Sequence, residues 1–124
     1  MEQRFLKCKH CGNIVAVVKD NKGVITCCGE PMQELIPGVV EASKEKHIPV
    51  YHVEGNVVSV EVGSVTHPMQ EEHYIEWISI HTKQGNQRKC LKPNDKPEAK
   101  FALSDGDEVL SVYAYCNLHG LWKA

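Results

Sequence analysis

Four of the six cysteines in this 124-residue chain fall within its first 28 residues, and this cluster is the strongest constraint on how the chain can fold. The segment that precedes Pro37 is below the size of about 40 residues at which a chain can usually fold on its own hydrophobic core. A metal or an oligomer contact must therefore help to hold it together. The four cysteines that could bind a metal are Cys8, Cys11, Cys27 and Cys28.

The spacing of these cysteines leaves the identity of the metal open. Cys8 and Cys11 form a C-x-x-C pair, whereas Cys27 and Cys28 are adjacent. Four thiolates in a tetrahedron suit either zinc or iron, and disulfides remain as an alternative to a metal. An ordinary zinc ribbon repeats the C-x-x-C spacing, so the adjacent pair weakens that interpretation and predicts distorted angles between the sulfurs. His10 lies between two candidate ligands and is predicted to be a bystander.

Composition excludes several classes of protein. The hydrophobic content of 42% and the formal net charge of -2 indicate a folded domain without the basic surface that nucleic-acid binding requires. No apolar run is long enough for a signal peptide or for a membrane span. Cysteine-rich chains without a secretory signal more often use their thiols for metal or redox chemistry. We therefore expect a cytoplasmic protein.

The second part of the chain has the alternating pattern of an antiparallel β protein. Val58, Val60 and Val62 would share one face of a strand, with polar residues on the other face. The Gly55-Asn56 pair before this run is a strong hairpin signal. Further β-like runs cover residues 47–53, 74–82, 100–103 and 109–116. Short strands separated by turn signals favour a β-sandwich over a barrel.

Two segments call for separate interpretations. Residues 39–46 are the only candidate for a short helix, so the chain is predicted to be all-β. Near the start, residues 13–18 and 24–27 are predicted to pair as a hairpin around the turn-forming residues 20–23. The domain organisation predicted is a small metal-stapled unit over residues 1–37, followed by the β-sandwich over residues 38–124.

Several of the seven histidines sit where the chain would hold a side chain in place. His47 and His67 precede prolines, which favours an extended local backbone, and His73 opens a β-like run. His119 follows Cys116 by three residues, so a short loop could deliver a thiolate and an imidazole to one ion. Taken together, these five residues predict a second metal site. His52 and His81 lie within predicted strands and are not expected to bind a metal. Cys90 is predicted to be a small buried side chain, which is the commonest role of a free cysteine.

Four motifs closely resemble those of the desulfoferrodoxin family, the two-iron class of superoxide reductase. They are Glu45-Lys46-His47-Ile48-Pro49, His67-Pro68-Met69, His73-Tyr74-Ile75-Glu76-Trp77 and Tyr115-Cys116-Asn117-Leu118-His119-Gly120. The four early cysteines, including the adjacent pair, resemble the desulforedoxin-like domain of that family. The resemblance covers essentially the whole chain, and every motif is in order.

The resemblance implies an immunoglobulin-like sandwich after a desulforedoxin-like domain, with two mononuclear non-haem irons. One iron would be an FeS4 centre held by the four early cysteines. The other would have four equatorial histidines and an axial cysteine: His47, His67, His73, His119 and Cys116. At this second iron, superoxide would be reduced by one electron to hydrogen peroxide, and rubredoxin or a similar small carrier would return the electron. The family also suggests a homodimer.

The family resemblance also suggests roles in catalysis for two charged residues near His47. A lysine near the site would attract anionic superoxide, so Lys46 is predicted to act in catalysis. Glu45 resembles the family residue that can occupy the sixth position of ferric iron. Two alternatives remain: a non-catalytic two-iron electron-transfer protein, and a zinc-binding structural module built on the four cysteines.

Overall fold

Strand pairing organises the chain into two units, as seen in a computed structural model that describes residues 2–124. One unit ends at Ile36, and the other spans Pro37–Ala124. All the strand pairings found in the described residues are antiparallel, which confirms the all-β prediction. The assignment of residues 1–37 and 38–124 as functional domains stays a prediction.

The first unit is built from five very short strands. They are β1 (Phe5–Lys7), β2 (Ile14–Ala16), β3 (Thr26–Cys27), β4 (Glu30–Pro31) and β5 (Gln33–Glu34). Strand β1 lies between β2 and β5, and β3 pairs with β4. The hairpin predicted between residues 13–18 and 24–27 is therefore wrong. Instead, β2 pairs with β1, and β3 pairs with β4. The sequence did not reveal β1 and β4, because both are too short to show an alternating pattern.

An arginine holds together distant parts of this unit. The Arg4 side chain donates to Asp20 at 2.7 Å and to Glu34 at 2.6 Å. Asp20 also accepts the backbone N–H of Lys22, and this bond is the main cause that lowers the pKa of its carboxyl group, with Arg4 acting in the same direction. The predicted turn at residues 20–23 is thus present, although it connects β2 to a loop instead of to a paired strand.

The second unit contains one helical turn and seven strands. They are α1 (Lys44–His47), β6 (Pro49–Glu54), β7 (Val57–Val62), β8 (Ile75–Thr82), β9 (Gly85–Cys90), β10 (Glu98–Ala102), β11 (Val109–Cys116) and β12 (Gly120–Lys123). One sheet has the order β10-β7-β6 and the other has the order β12-β11-β8-β9. The helix is shorter than the candidate segment 39–46 and ends one residue later. In this unit, as elsewhere in residues 2–124, no helix has the length and apolar character to span a membrane.

The core of the sandwich lies between the two sheets. Strand β7 buries alternate valines, as predicted, and the Gly55-Asn56 turn joins it to β6, with Gly55 at a φ of 62°. The opposite sheet contributes Ile78, Ile80 and Val112, and Cys116 belongs to the same buried cluster. One candidate ligand is therefore part of the hydrophobic core itself.

Two strands of the second sheet had no signal in the sequence. Strand β9 is an exposed edge strand with the polar sequence Gly85-Asn86-Gln87-Arg88-Lys89-Cys90, so it lacks apolar alternation. Cys90, at its end, is exposed, and its prediction as a buried side chain is wrong. Strand β12 is short and places Leu121 and Trp122, both buried, next to each other.

A register shift sets the direction of Cys116. Along β11, Tyr115 lies opposite Trp77, but Cys116 lies opposite Ile75, so Glu76 is an extra residue on β8. A bulge of this kind re-aims side chains at the end of a strand. Here it allows Ile75 and Cys116 both to join the core at the end where the histidines gather.

The segment that carries α1 packs closely on Gly63. The Glu45 carbonyl oxygen accepts hydrogen bonds from the Val65 backbone N–H at 3.0 Å and from the Ser64 hydroxyl at 3.2 Å. A Cβ atom at position 63 would overlap that carbonyl oxygen and lie 2.9 Å from the carbonyl carbon of Lys46. Only a residue without a side chain permits this approach.

We expect Gly63→Ala to destabilise the protein by about 1–3 kcal/mol, because backbone atoms must move to admit the methyl group. Gly23→Ala is the matched control, since a Cβ there meets nothing within 4 Å and its φ is not in the left-handed region. Urea denaturation measures the free energy of unfolding of each variant relative to wild type. Equal midpoints for the two variants would contradict the close approach.

Candidate metal centres

The four early cysteines come together at two turns, one after β1 and one at the end of β3. Their sulfur atoms all lie within 4.8 Å of one another. The Sγ of Cys27 is 3.6 Å from that of Cys11 and 4.0 Å from that of Cys28. A tetrahedral site with metal–sulfur bonds of about 2.3 Å has sulfur–sulfur edges of about 3.8 Å. The donor set therefore fits a four-coordinate metal.

Backbone conformation explains how two adjacent cysteines can share one site. Cys28 has a φ of 52° and Gly29 a φ of 79°, both in the left-handed region. This conformation is rare for a residue with a side chain, and it needs compensation from the surrounding structure. It turns the chain so that the two neighbouring sulfurs converge, where an extended backbone would point them to opposite sides.

Backbone N–H groups point at the first pair of sulfurs. The Cys11 N–H lies 3.5 Å from the Cys8 sulfur, and the Asn13 N–H lies 3.4 Å from the Cys11 sulfur. The Cys11 N–H is the main cause that lowers the pKa of Cys8 to about 6, while hydrogen bonding with the Cys11 thiol raises the pKa of Cys27 to about 12. Without a cation the four thiols cannot all ionise, so metal binding must release protons.

His10 points away from the four sulfurs. Its Nε2 lies 3.1 Å from a carboxylate oxygen of Glu30, and the other oxygen of that carboxylate accepts from Lys9 at 2.9 Å. His10 is not a member of the four-sulfur group. This geometry agrees with its prediction as a bystander.

Four imidazoles in the sandwich unit form a closed ring around a common centre. Neighbouring rings lie edge to face, with centroids 4.6 Å apart for His47 and His67, 4.8 Å for His67 and His73, 5.1 Å for His73 and His119, and 4.9 Å for His119 and His47. Across the ring, His47 and His73 are 6.3 Å apart and tilted by only 27°. Such an arrangement presents four nitrogens to one central point.

Backbone carbonyls fix which nitrogens face the centre. The Nδ1 atoms of His47 and His67 lie 2.6 Å from the carbonyl oxygens of Ser43 and Pro68, respectively. In a neutral imidazole that Nδ1 is then the donor, so Nε2 keeps a free lone pair. The Nε2 atoms of His47 and His67 are 3.1 Å apart, and His47 Nε2 is also 3.1 Å from His119 Nδ1. The lone pairs of His47 Nε2 and His67 Nε2 therefore face each other, with His119 Nδ1 beside them.

The remaining two donors complete the group. His73 Nε2 is buried and has no hydrogen-bond partner among the described residues. The Cys116 sulfur is buried at the end of β11 and lies 3.9 Å from His119 Nδ1. The donor atoms of His47, His67, His73 and Cys116 all lie within 4.8 Å of one another; His119 is outside that set but closes the ring.

This accumulation of lone pairs is the test of fit to a metal. Buried polar atoms in proteins normally have hydrogen-bond partners, and an unpaired one costs stability. Imidazole nitrogens with a thiolate are a donor set that suits ferrous iron. A cation at the centre of the ring would satisfy the facing nitrogens at once, so the residues fit the iron that the sequence predicts.

Burial keeps these donors ready for a metal. It lowers the pKa of His67 to about 4, and it is also the main cause that lowers the pKa of His47 and of His73. The three imidazoles are therefore neutral at neutral pH. Burial likewise raises the pKa of the Cys116 thiol, against the effect of the His119 backbone N–H. The thiol must lose its proton when it binds a cation.

Trp122 supports the ring, although no sequence motif pointed to it. Its indole stacks obliquely on His47 with centroids 5.0 Å apart, and its Nε1–H donates to the His119 carbonyl oxygen at 3.1 Å. The indole is buried on β12. The only signal in the sequence was a large aromatic residue three positions after His119.

The two charged candidates differ in their relation to the ring. Lys46 is exposed, and its positive charge adds to burial in lowering the pKa of both His47 and His73. Glu45 is exposed as well, and its carboxylate is not among the grouped donor atoms. Only its backbone carbonyl makes the contacts described above.

The two ordinary histidines lie apart from the ring. His52 lies on β6 opposite Ser59, and His81 Nδ1 pairs with the side-chain oxygen of Asn86 at 2.8 Å. Neither is a member of the donor groups found in residues 2–124.

A β-sandwich with a histidine–cysteine centre, preceded by a four-cysteine unit, defines a non-haem iron protein with two metal centres. The chain belongs to the desulfoferrodoxin family. The family profile of desulfoferrodoxin matches residues 39–124, and that of its N-terminal domain matches residues 2–35. The four-cysteine and histidine–cysteine groups fit the two iron centres of desulfoferrodoxin.

Individual relatives agree with this assignment. The desulfoferrodoxin of Nitratidesulfovibrio vulgaris is 49% identical over 123 residues, which covers 99% of this chain and 96% of the relative. The crystal structure of the superoxide reductase from Treponema pallidum matches with a TM-score of 0.85 and 40% identity, over 100% of this chain and 99% of that chain. The superoxide reductase (1Fe-SOR) from Giardia intestinalis covers 65% of this chain and 96% of its own, with a TM-score of 0.55 and 36% identity.

Proposed function

We propose that this protein is a superoxide reductase. It reduces superoxide by one electron to hydrogen peroxide at the histidine–cysteine centre, and an external donor then reduces the centre again. The observation that carries the proposal is the closed ring of four imidazoles with one buried thiol beside it. The metal ligands in this proposal are His47, His67, His73, His119 and Cys116.

The donor count explains why such a site can react with a small oxidant. Bound ferrous iron would supply the electron, and five protein donors leave one position of an octahedron for the substrate. The hydrogen bonds to Ser43 and Pro68 hold two of the imidazoles, so the donors need little rearrangement when the charge of the centre changes. A thiolate ligand donates electron density, as in some haem proteins.

Lys46 is the residue that would attract the substrate. Superoxide is an anion, and a cation near the ring raises its local concentration and stabilises negative charge there. The influence of Lys46 on His47 and His73 supports this role. For Glu45 we propose that its exposed carboxylate would serve as a further ligand when the centre is oxidised, which would take a movement of the short helix or of the side chain.

The four-cysteine centre would hold the second iron. Rubredoxin or a similar small carrier is the proposed donor, and a homodimer is the proposed assembly, because the first unit has only short strands to stabilise it. A cytoplasmic location is proposed as well. The six cysteines of the described chain are all free of disulfides, as expected in a reducing compartment.

Two rival functions are disfavoured by the second centre. A protein that only transfers electrons needs no open coordination position, and five donors leave one. A zinc-binding structural module built on the four cysteines would not explain the ring of buried, mutually facing imidazole nitrogens.

The direct test is the product yield from a pulse of superoxide under anaerobic conditions. We expect the reduced, iron-loaded protein to form one hydrogen peroxide for each superoxide consumed, with no oxygen released and one electron lost per catalytic centre. Half that yield with release of oxygen would mean dismutation and would contradict the proposal. The absence of any reaction would favour the electron-transfer rival.

Lys46→Ala should lower the second-order rate constant with superoxide by roughly three- to tenfold at low ionic strength, because one attracting charge is lost. Added salt should bring the rate constants of the variant and the wild type closer together, since it screens exposed charges. The measurement is rapid mixing or pulse radiolysis over a range of salt concentrations.

Lys44→Ala provides the control for this prediction. Lys44 is exposed on the same helix, so this variant changes the net charge of the chain by the same amount. Equal losses in the two variants would show a general charge effect, and no loss in Lys46→Ala would rule out attraction by Lys46.

A further inference from the structure

Asn117 ties together two of the segments that supply candidate ligands. Its side-chain oxygen accepts the Tyr74 backbone N–H at 3.0 Å, and its side-chain NH2 donates to the Glu72 carbonyl oxygen at 3.0 Å. Its own backbone N–H donates to the Tyr74 carbonyl oxygen at 3.2 Å. These three bonds lie on both sides of His73, and they start from the residue that follows Cys116.

The side chain acts here as a substitute for strand pairing. Strand β8 begins at Ile75, opposite Cys116. Beyond this pair the two strands share one backbone bond, from the Asn117 N–H to the Tyr74 carbonyl oxygen, and residues 117–119 then turn toward β12. In a continuing ladder, a backbone carbonyl would accept the Tyr74 N–H. Asn117 supplies a carboxamide oxygen in its place, so the connection extends beyond the last paired residues to position 72.

His73 depends on its backbone more than the two buried imidazoles do. His47 and His67 each have a ring nitrogen held by a carbonyl oxygen at 2.6 Å. The His73 ring makes no hydrogen bond to another described residue, and its Nε2 is buried without a partner. Apart from its ring contacts with His67 and His119, this imidazole is therefore placed by the backbone of residues 72–74.

The other hydrogen bonds near His73 are local. The backbone groups of Gln70 and His73 bond to each other at 2.9 and 3.1 Å, which closes the loop upon itself. That closure does not fix the loop relative to Cys116. The bonds made by Asn117 do, because they reach from the thiolate segment to the carbonyl before His73 and to the N–H after it.

We propose that Asn117 is a positioning residue that holds the His73 imidazole at a fixed distance from the Cys116 thiolate. This inference rests on the proposed assignment of both residues as ligands of one iron. Substitution by alanine leaves the Glu72 carbonyl and the Tyr74 N–H without their partner, and the loop then moves relative to β11. Substitution by aspartate keeps an acceptor for the Tyr74 N–H but loses the donor to Glu72.

The first test follows amide hydrogen exchange in the iron-loaded protein, and its readout does not depend on catalysis. Amide hydrogen exchange at Tyr74 should be faster in Asn117→Ala by about fivefold or more, as the loss of one hydrogen bond of typical strength implies. In Asn117→Asp the Tyr74 amide should keep its protection. Unchanged exchange at Tyr74 in Asn117→Ala would overturn the proposal.

The second test uses the iron-loaded protein. We expect Asn117→Ala to release iron from the histidine–cysteine centre to a chelator about 10–100-fold faster, in line with the loss of other groups that orient metal ligands. We also expect a shift of the sulfur-to-iron absorption band and of the EPR spectrum of the ferric centre. An unchanged release rate and unchanged spectra would overturn the proposal, whatever the thermal stability of the variant.

Asn86→Ala is the matched control, because Asn86 also uses its side chain in a hydrogen bond within the sandwich, to His81. It should leave iron release and both spectra as in wild type. If Asn117→Ala does not fold, Asn117→Asp decides: its iron release should be faster than that of wild type, and an equal rate would contradict the proposal. Failure of the wild-type protein to reduce superoxide would count against the proposed function and leave the exchange result intact.

Discussion

The rest of the sandwich unit depends on one local conflict: several imidazole nitrogens with lone pairs face each other in a buried space. His47 Nε2 lies 3.1 Å from His67 Nε2 and 3.1 Å from His119 Nδ1, although the backbone carbonyls of Ser43 and Pro68 already use the opposite nitrogens of His47 and His67. Burial keeps the rings from relieving the conflict by protonation, since it lowers the pKa of His67 to about 4. A central cation would bind the facing nitrogens together, and the hydrogen bonds to Ser43 and Pro68 hold two of the rings in the orientation that this requires.

The two centres are held in different ways. The four sulfurs come from tight turns, one of which requires a left-handed backbone at Cys28, and local N–H groups surround them. The histidine–cysteine centre is joined to the hydrophobic core, because Cys116 packs in the same cluster as Ile75 and a bulge in β8 sets the pairing of both. A change in core packing therefore reaches the second centre through its thiol. The sulfurs of the first centre are placed by their own turns.

The sequence predicted best what depends on a single strand or motif. Alternating valines predicted the full length of β7, and the all-β class was confirmed. The polar edge strand β9 and the short strand β12 were not predicted, because neither has an alternating apolar pattern. Candidate ligands stood out through neighbouring prolines, spacing and family motifs. Trp122 and Asn117 could not be found this way, because one acts through a ring contact and the other through backbone atoms distant in sequence. Cys90 was wrongly predicted to be buried, because cysteine side chains are usually buried in proteins whereas the edge strand β9 exposes this one.

The central claim is that one iron is held by a ring of imidazoles and by a single thiolate, and iron-edge X-ray absorption tests it most directly. The suitable protein is the Cys11→Ala/Cys28→Ala variant, loaded with iron and reduced, because it leaves only the histidine–cysteine centre able to bind strongly. The account predicts one sulfur scatterer per iron together with a shell of imidazole nitrogens that shows their multiple-scattering pattern. Two or more sulfurs per iron, or an oxygen shell without sulfur, would contradict it.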